Sequence, residues 1–233
     1  MKPYSLILLP ALMLLLALSA GPAIAAGKET ARVESAGAVM KKIMEIPEKQ
    51  IPPSLLANAQ GIAIIPGVIK VGFVLGGQYG HGILSIRDKK RGWSNPVFVT
   101  LASGSVGWQI GAQSTDFVVV FKTHKSIEGI LKGKYTLGAD AAVAAGPVGR
   151  RAEASTDVEL KAEIYSYSRS RGLFAGVSLE GSSMQVDNES DTKFYGKGGN
   201  HPSDILDGKN VKTPPAAAAL KKKLAKYAPE GKK

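Results

Sequence analysis

The chain has no cysteine in its 233 residues. That excludes disulfides, thiolate nucleophiles and any cysteine-based metal centre, so the fold must be held by packing alone. Histidine is scarce: His81, His124 and His201 are the full set, none is paired at metal-ligand spacing, and no HExxH occurs. The nucleophile elbow GxSxG is missing, since Ser103-Gly104-Ser105-Val106-Gly107 fails the spacing. The phosphate-loop pattern GxxxxGK[ST] is missing too; the glycine-rich stretch from Gly72 to Gly82 runs into a strand pattern, without the helix N-terminus that would aim amides at an anion. These absences point away from catalysis, toward a chain with no catalytic residues, no metal and no cofactor.

What is present begins with a leader. Lys2, the apolar run Leu6–Leu18 and the small-x-small triplet Ala23-Ile24-Ala25 have the form of a secretory signal peptide. The expected organisation is a signal segment over 1–25, a domain over 26–208 and a basic C-terminal tail or helix over 209–233. The expected location is periplasmic or secreted, with peripheral membrane association. Charge is uneven. Residues 61–208 hold sixteen basic and fourteen acidic side chains, whereas 209–233 hold eight lysines against one glutamate. A basic tail outside the cytoplasm suggests anionic lipid or anionic cell-surface polymer before nucleic acid; the alternative is a solubilising terminus.

Val33, Ala36, Met40, Ile43 and Met44 recur at helical spacing, which predicts an amphipathic helix over Thr30–Glu45, with Lys41 and Lys42 near its end. Two readings stand: the stripe docks on the core, or it inserts into a lipid interface with the lysines at the headgroups. Ser54 is expected to cap a short helix stopped at Gly61, and Ile62–Ile65 to form a strand ended by a turn at Pro66-Gly67. From Val71 onward, glycine-punctuated alternation predicts strand after strand. Phe117–Phe121, apolar without alternation, is expected to be buried on both faces. A short helix is expected over Ser126–Lys132. Thr213 is expected to cap a final helix running to Tyr227, where Leu220, Leu224 and Tyr227 are flanked by Lys221, Lys222, Lys223 and Lys226. The fold class is α+β: a mostly antiparallel β sandwich or barrel-like core with an N-terminal amphipathic helix and a C-terminal basic helix.

Among polar residues, Arg150 and Arg151 follow a glycine turn and can grip phosphate bidentately or serve as a charged sheet edge. His81 reads as a solvated turn histidine. Asp116, Asp140 and Asp157 each stand beside an apolar strand, and Asp116, Asp140 or His81 would be the residues of any hydrolytic or metal-dependent alternative. Tyr165 and Tyr167 share a strand face, a packing pattern.

The runs Gly61-Ile62-Ala63-Ile64-Ile65-Pro66, Gly72–Gly82, Gly104–Gly111, Leu137-Gly138-Ala139-Asp140, Gly146–Arg150, Tyr165–Ser168 and Gly172–Gly181 together resemble the SYLF domain, or Ysc84-like family, over Pro53–Leu206. The resemblance implies binding of phosphoinositides and other anionic phospholipids; in fungal and animal members it also implies links to actin and membrane remodelling. By position, Lys41 and Lys42 match the basic residues of the membrane-contacting helix. Because of the leader, the expectation is a non-catalytic lipid-binding member, with Lys41, Lys42, Arg150, Arg151, Lys221, Lys222, Lys223 and Lys226 as lipid-binding residues. Actin is not expected as a partner in that compartment, and neither is nucleic acid. The alternative is an envelope structural or stress-related module that binds a protein partner.

Overall fold

A computed structural model describes residues 27–45, 50–72, 75–88, 92–106, 113–149 and 161–230. A curled mixed sheet forms a half-barrel, with helices on both of its faces. Its elements are α1 (Lys28–Met44), α2 (Pro53–Ala57), β1 (Gly61–Gly72), β2 (Leu75–Asp88), β3 (Gly92–Trp93), β4 (Val97–Val106), β5 (Gln113–Phe121) and α3 (His124–Leu131). They continue with β6 (Tyr135–Thr136), β7 (Val143–Ala145), β8 (Ile164–Ser170), β9 (Leu173–Gly176), β10 (Ser183–Val186), α4 (Asn188–Tyr195), a 3-10 turn (Gly196–Asn200), α5 (Pro202–Asp207) and α6 (Pro215–Tyr227). The strand order is β6-β10-β4-β2-β1-β5-β8-β7, with β3 added to β2 and β9 to β8. Neighbours are antiparallel except β7 and β8, which run parallel. The expected α+β class, with a mostly antiparallel barrel-like core between two terminal helices, is the observed one.

The two faces of the sheet bury two separate cores. One face gathers Ile62, Ile64, Ile83, Phe98, Val118 and Tyr167 against α1, α2 and α6. The other gathers Ala63, Ile65, Leu84, Val99, Val119 and Phe121 against α3, α5 and the β6–β10 edge. Adjacent residues of β1 and β5 thus fall into opposite cores, which is why Phe117–Phe121 is buried throughout without polar alternation. The curl demands close approach. A Cβ on Gly82 would overlap the carbonyl of Ile64, and one on Gly176 would overlap the backbone of Gly146, so these strand positions admit no side chain.

Several local expectations are corrected. Pro66-Gly67 does not end β1. It forms a bulge, since Ile64 pairs with Ile83 and Ile69 with Tyr79, five residues on β1 against four on β2. Proline has no N–H to give the ladder, and Gly67, at φ 61°, donates its own N–H to Asp116 Oδ1 at 3.0 Å. The strand alternation that starts at Val71 spans the end of β1 and the start of β2, paired Gly72 to Gly76. Pro52, not Ser54, is the N-cap of α2; Ser54 Oγ is buried and has no hydrogen-bond partner among the described residues. The helix stops at Ala57, and Gly61 opens β1. Thr213 does not cap α6, whose N-cap is Pro214; its hydroxyl donates to Asn95 Oδ1 at 2.9 Å. Helix α4 was not expected, because only Ser190 and Asp191 of its residues are buried and no apolar stripe announces it.

Candidate functional site

The lysine-bearing helices lie side by side. Val33, Ala36, Val39, Met40 and Ile43 of α1 are buried, as are Ala217, Leu220 and Leu224 of α6. The two apolar stripes therefore pack into one core, and the lipid-inserting reading of α1 is overturned: its apolar face is already covered. The lysine stem of Lys223 crosses Gly37 of α1, where an added Cβ would sit 3.1 Å from its Cδ. With the stripes turned inward, Lys41, Lys42, Lys222 and Lys226 are exposed, and Lys221 and Lys223 are partly so. Lys41 Nζ is 3.4 Å from Glu45 Oε1, both more than half exposed, an interaction worth little in water. Lys226 Nζ lies 5.1 Å from the Tyr227 ring centroid. Arg150 and Arg151 lie outside the described residues.

A buried clip fixes the end of α6. The guanidinium of Arg87, on β2, donates to the carbonyls of Ala57, Leu56 (3.0 Å) and Ala228 (2.6 Å). Trp93 Nε1 donates to the same Ala228 oxygen at 3.1 Å, and the Arg87 guanidinium lies 4.7 Å from the Trp93 ring centroid. Burial pushes the Arg87 pKa down, and the nearby Glu230 charge opposes that. One charged side chain thus joins carbonyls at the ends of two helices, where the intrahelical pattern leaves acceptors open.

A second polar cluster, missed in the sequence, sits where α1, α4 and the sheet meet, around a pocket of about 450 Å³. Asp187 caps α4 by accepting from Ser190 N–H at 3.1 Å and from the Ser190 hydroxyl at 2.8 Å. Arg32 of α1 donates to Ser190 Oγ at 3.1 Å and lies 3.8 Å from Asp187 Oδ2. His81 is not a turn residue: it lies in β2, with Nδ1 3.3 Å from Asp187 Oδ2. Desolvation pushes the Asp187 carboxyl up, but the two Ser190 hydrogen bonds and His81 outweigh it, and the net shift is down. Asp191, fully buried, accepts from Phe98 N–H at 2.8 Å while its Oδ2 has no hydrogen-bond partner among the described residues. Desolvation pushes its pKa up to about 7. The available signal was Asp187-Asn188-Glu189-Ser190, an N-cap acid followed by a polar first turn.

The arrangement does not assemble a nucleophilic relay. The Ser190 hydroxyl is committed to Asp187 rather than to the His81 ring. Asp116 is held by Gly67 N–H, with Arg169 Nε at 3.6 Å, and Asp140 accepts from Thr136 N–H at 2.6 Å, so both acids stabilise local backbone in different places. Asp157 lies outside the described residues. No group of three or more His, Cys, Asp or Glu converges on a metal-sized site among the described residues. Tyr165 and Tyr167 pack inward as expected; the Tyr167 ring stacks on Phe174 at 5.4 Å.

The sequence profile of a family described as Ysc84, Las17-binding protein actin regulator, matches residues 102–227. Protein YSC84 of Saccharomyces cerevisiae is 39% identical over 176 residues, which cover 74% of this chain and 37% of that protein. LAS seventeen-binding protein 3 of Saccharomyces cerevisiae is 37% identical over 176 residues, covering 74% and 38%. The human SH3 domain-containing YSC84-like protein 1 is 37% identical over 168 residues, covering 70% and 49%. The chain thus spans less than half the length of the curated relatives it matches.

Proposed function

The chain belongs to the Ysc84 family, whose description is that of a binding regulator, and on that premise we propose that it docks reversibly on anionic phospholipid surfaces through the lysines of α1 and α6 without catalysing a reaction. The carrying observation is the inward packing of both apolar stripes. It leaves Lys41, Lys42, Lys222 and Lys226 exposed on two helices that the core holds rigid. Each lysine near such a surface contributes about 1 kcal/mol, and salt within a Debye length of about 10 Å weakens the attraction. Docking is then electrostatic and peripheral, with the apolar faces of α1 and α6 already buried in the core. In this reading residues 1–25 direct export, and the surface met is an envelope membrane.

Co-sedimentation with vesicles tests the proposal. Binding is expected to anionic vesicles, to fall steeply between low and physiological salt, and to be lost when Lys41, Lys42, Lys222 and Lys226 become glutamate. Equal binding to neutral vesicles, or binding unmoved by those four changes, overturns it. The relatives' names favour a second reading, in which the partner is a protein, since one is a LAS seventeen-binding protein. A protein partner retained by the four-glutamate variant that no longer binds lipid would support that reading.

A further inference from the structure

On the helix-covered face of the sheet, cover stops short of one end. Ile69, Tyr79, Ala102 and Ser183 stand in register on β1, β2, β4 and β10, and they project from the same face as Ile64, Ile83 and Phe98. Together with Gly77 and Gly104 they line an open trough of about 760 Å³. Ile69 is 52% exposed and Tyr79 51%, two of the three large apolar side chains so exposed among the described residues. Gly77 and Gly104 pair directly across β2 and β4. A Cβ on Gly104 would meet no described atom within 4 Å, and one on Gly77 would meet only the Ser103 carbonyl at 3.5 Å. Neither has the positive φ that calls for glycine. Strand glycines cost stability, and these two, unlike Gly82 and Gly176, keep open a space that the described residues leave empty.

We propose that this trough seats the alkyl chain of a phosphate-headed lipid, with Lys134 at its rim holding the head; the inference rests on the lipid reading above and names a second, molecular contact for it. Two features choose this occupant. First, the trough floor is centred on β2, whose residues Gly76–Tyr79 are paired to both β1 and β4, so an extended peptide finds no edge to join along the floor. Gln78 and Ser103 project from the opposite face, where they satisfy each other at 2.7 Å. The trough floor of Ile69, Gly77, Tyr79, Ala102 and Gly104 therefore offers mainly apolar contact, which suits a hydrocarbon chain. Second, Lys134 lines the trough, is exposed, and has no ion pair among the described residues, which makes it complementary to an anionic head.

Calorimetric titration of the full chain with decyl phosphate below its micelle concentration tests the proposal, with decanol and inorganic phosphate titrated alongside. Saturable one-to-one binding is expected for decyl phosphate, weaker binding for decanol, and none for phosphate. Gly104→Val fills the trough and should weaken decyl phosphate by at least about tenfold while leaving Tm equal or higher. A glycine needed for folding would instead lower Tm. Ala102→Leu is a second filler, with the same expected loss. Lys134→Gln should reduce decyl phosphate to the level of decanol and leave decanol unchanged. Absent saturable binding, unchanged binding in both filled variants, or phosphate alone binding as tightly overturns the proposal. Protein that binds anionic vesicles but not decyl phosphate refutes the trough alone. Protein that binds decyl phosphate yet sediments equally with neutral vesicles refutes the lysine-helix docking alone.

Discussion

Ile83 and Tyr79 project from the same face of β2, four residues apart, and share neither surroundings nor purpose. Ile83 is fully buried in the core with α1 and α2, whereas Tyr79 is half exposed. The same contrast separates Phe98 from Ala102 on β4. It separates Ile64 from Ile69 on β1, where the bulge adds the one residue that keeps Ile69 on this face. β2 and β4 stay paired without a break from the covered half into the open half, so between these two strands the difference lies in the third layer. Side chains in the covered half are constrained by packing. Those in the open half lack a covering layer among the described residues, although Tyr79 packs edge-on against His81 at 4.9 Å, and their identity can answer to something outside the molecule.

That comparison is sharpest at the glycines. Gly82→Val forces a side chain into the Ile64 backbone and is expected to cost more than about 3 kcal/mol, enough to threaten folding. Gly104→Val, on the opposite face and at its open end, should change stability by less than about 1 kcal/mol, in the favourable direction. Urea unfolding of the two variants measures both; equal losses would abolish the distinction between the halves.

Next in size is the clip that keeps α6 on the covered half. Arg87→Met preserves most of the volume but strips the donors from three carbonyls, and should cost about 2–4 kcal/mol. Amide exchange in α6 should accelerate selectively, since Ala228 loses its strongest tie. Uniform acceleration across the sheet would mean that Arg87 supports the core in general rather than this helix.

A pH experiment separates two acids on the boundary between the halves. Asp191 has its folded pKa raised from 3.8 to about 7, so between those values the native state holds a proton that the unfolded state releases. Stability should therefore fall as pH rises from about 4 to 7, by about 2–4 kcal/mol, and then level off. Asp187 has its folded pKa lowered, so its contribution is present above its unfolded pKa and is lost as pH falls through the folded one. Asp191→Asn should flatten the profile between pH 4 and 7 and leave the acid limb below it. A variant with the same slope as the parent would remove Asp191 as its source.

The smallest effect on stability is expected from the lysines. Changing Lys41, Lys42, Lys222 and Lys226 to glutamate should move stability by about 0.5 kcal/mol or less at each site, because all four are exposed. The same changes should abolish sedimentation with anionic vesicles. A large loss of stability would show that the helix surface belongs to the fold rather than to a partner.

Much of this was legible before folding. The helical spacing of Val33, Ala36, Met40 and Ile43 gave α1 and its buried side, and the unalternating Phe117–Phe121 gave a strand between two cores, because burial pattern follows backbone period directly. Other features were hidden for physical reasons. Helix α4 carries almost no apolar signal and is held by capping and by Asp191 on the Phe98 amide, a contact across 93 residues. Arg87 looks like any charged residue in a hairpin, and only the arrival of Ala228 beside it makes it a clip. His81, flanked by glycines, suggested a turn, but those glycines serve the close approach of strands inside the curl.

Sequence by itself determined the periodicities, the absence of thiol and phosphate-loop chemistry, the family, and the concentration of lysine near the C-terminus, since each is a property of residue order or kind. Tertiary structure decided which apolar stripes were already occupied, which glycines were filled around and which stood open, and which charges were tied down. Those outcomes depend on what lies opposite a side chain in the third layer, and that layer is assembled from segments more than a hundred residues apart.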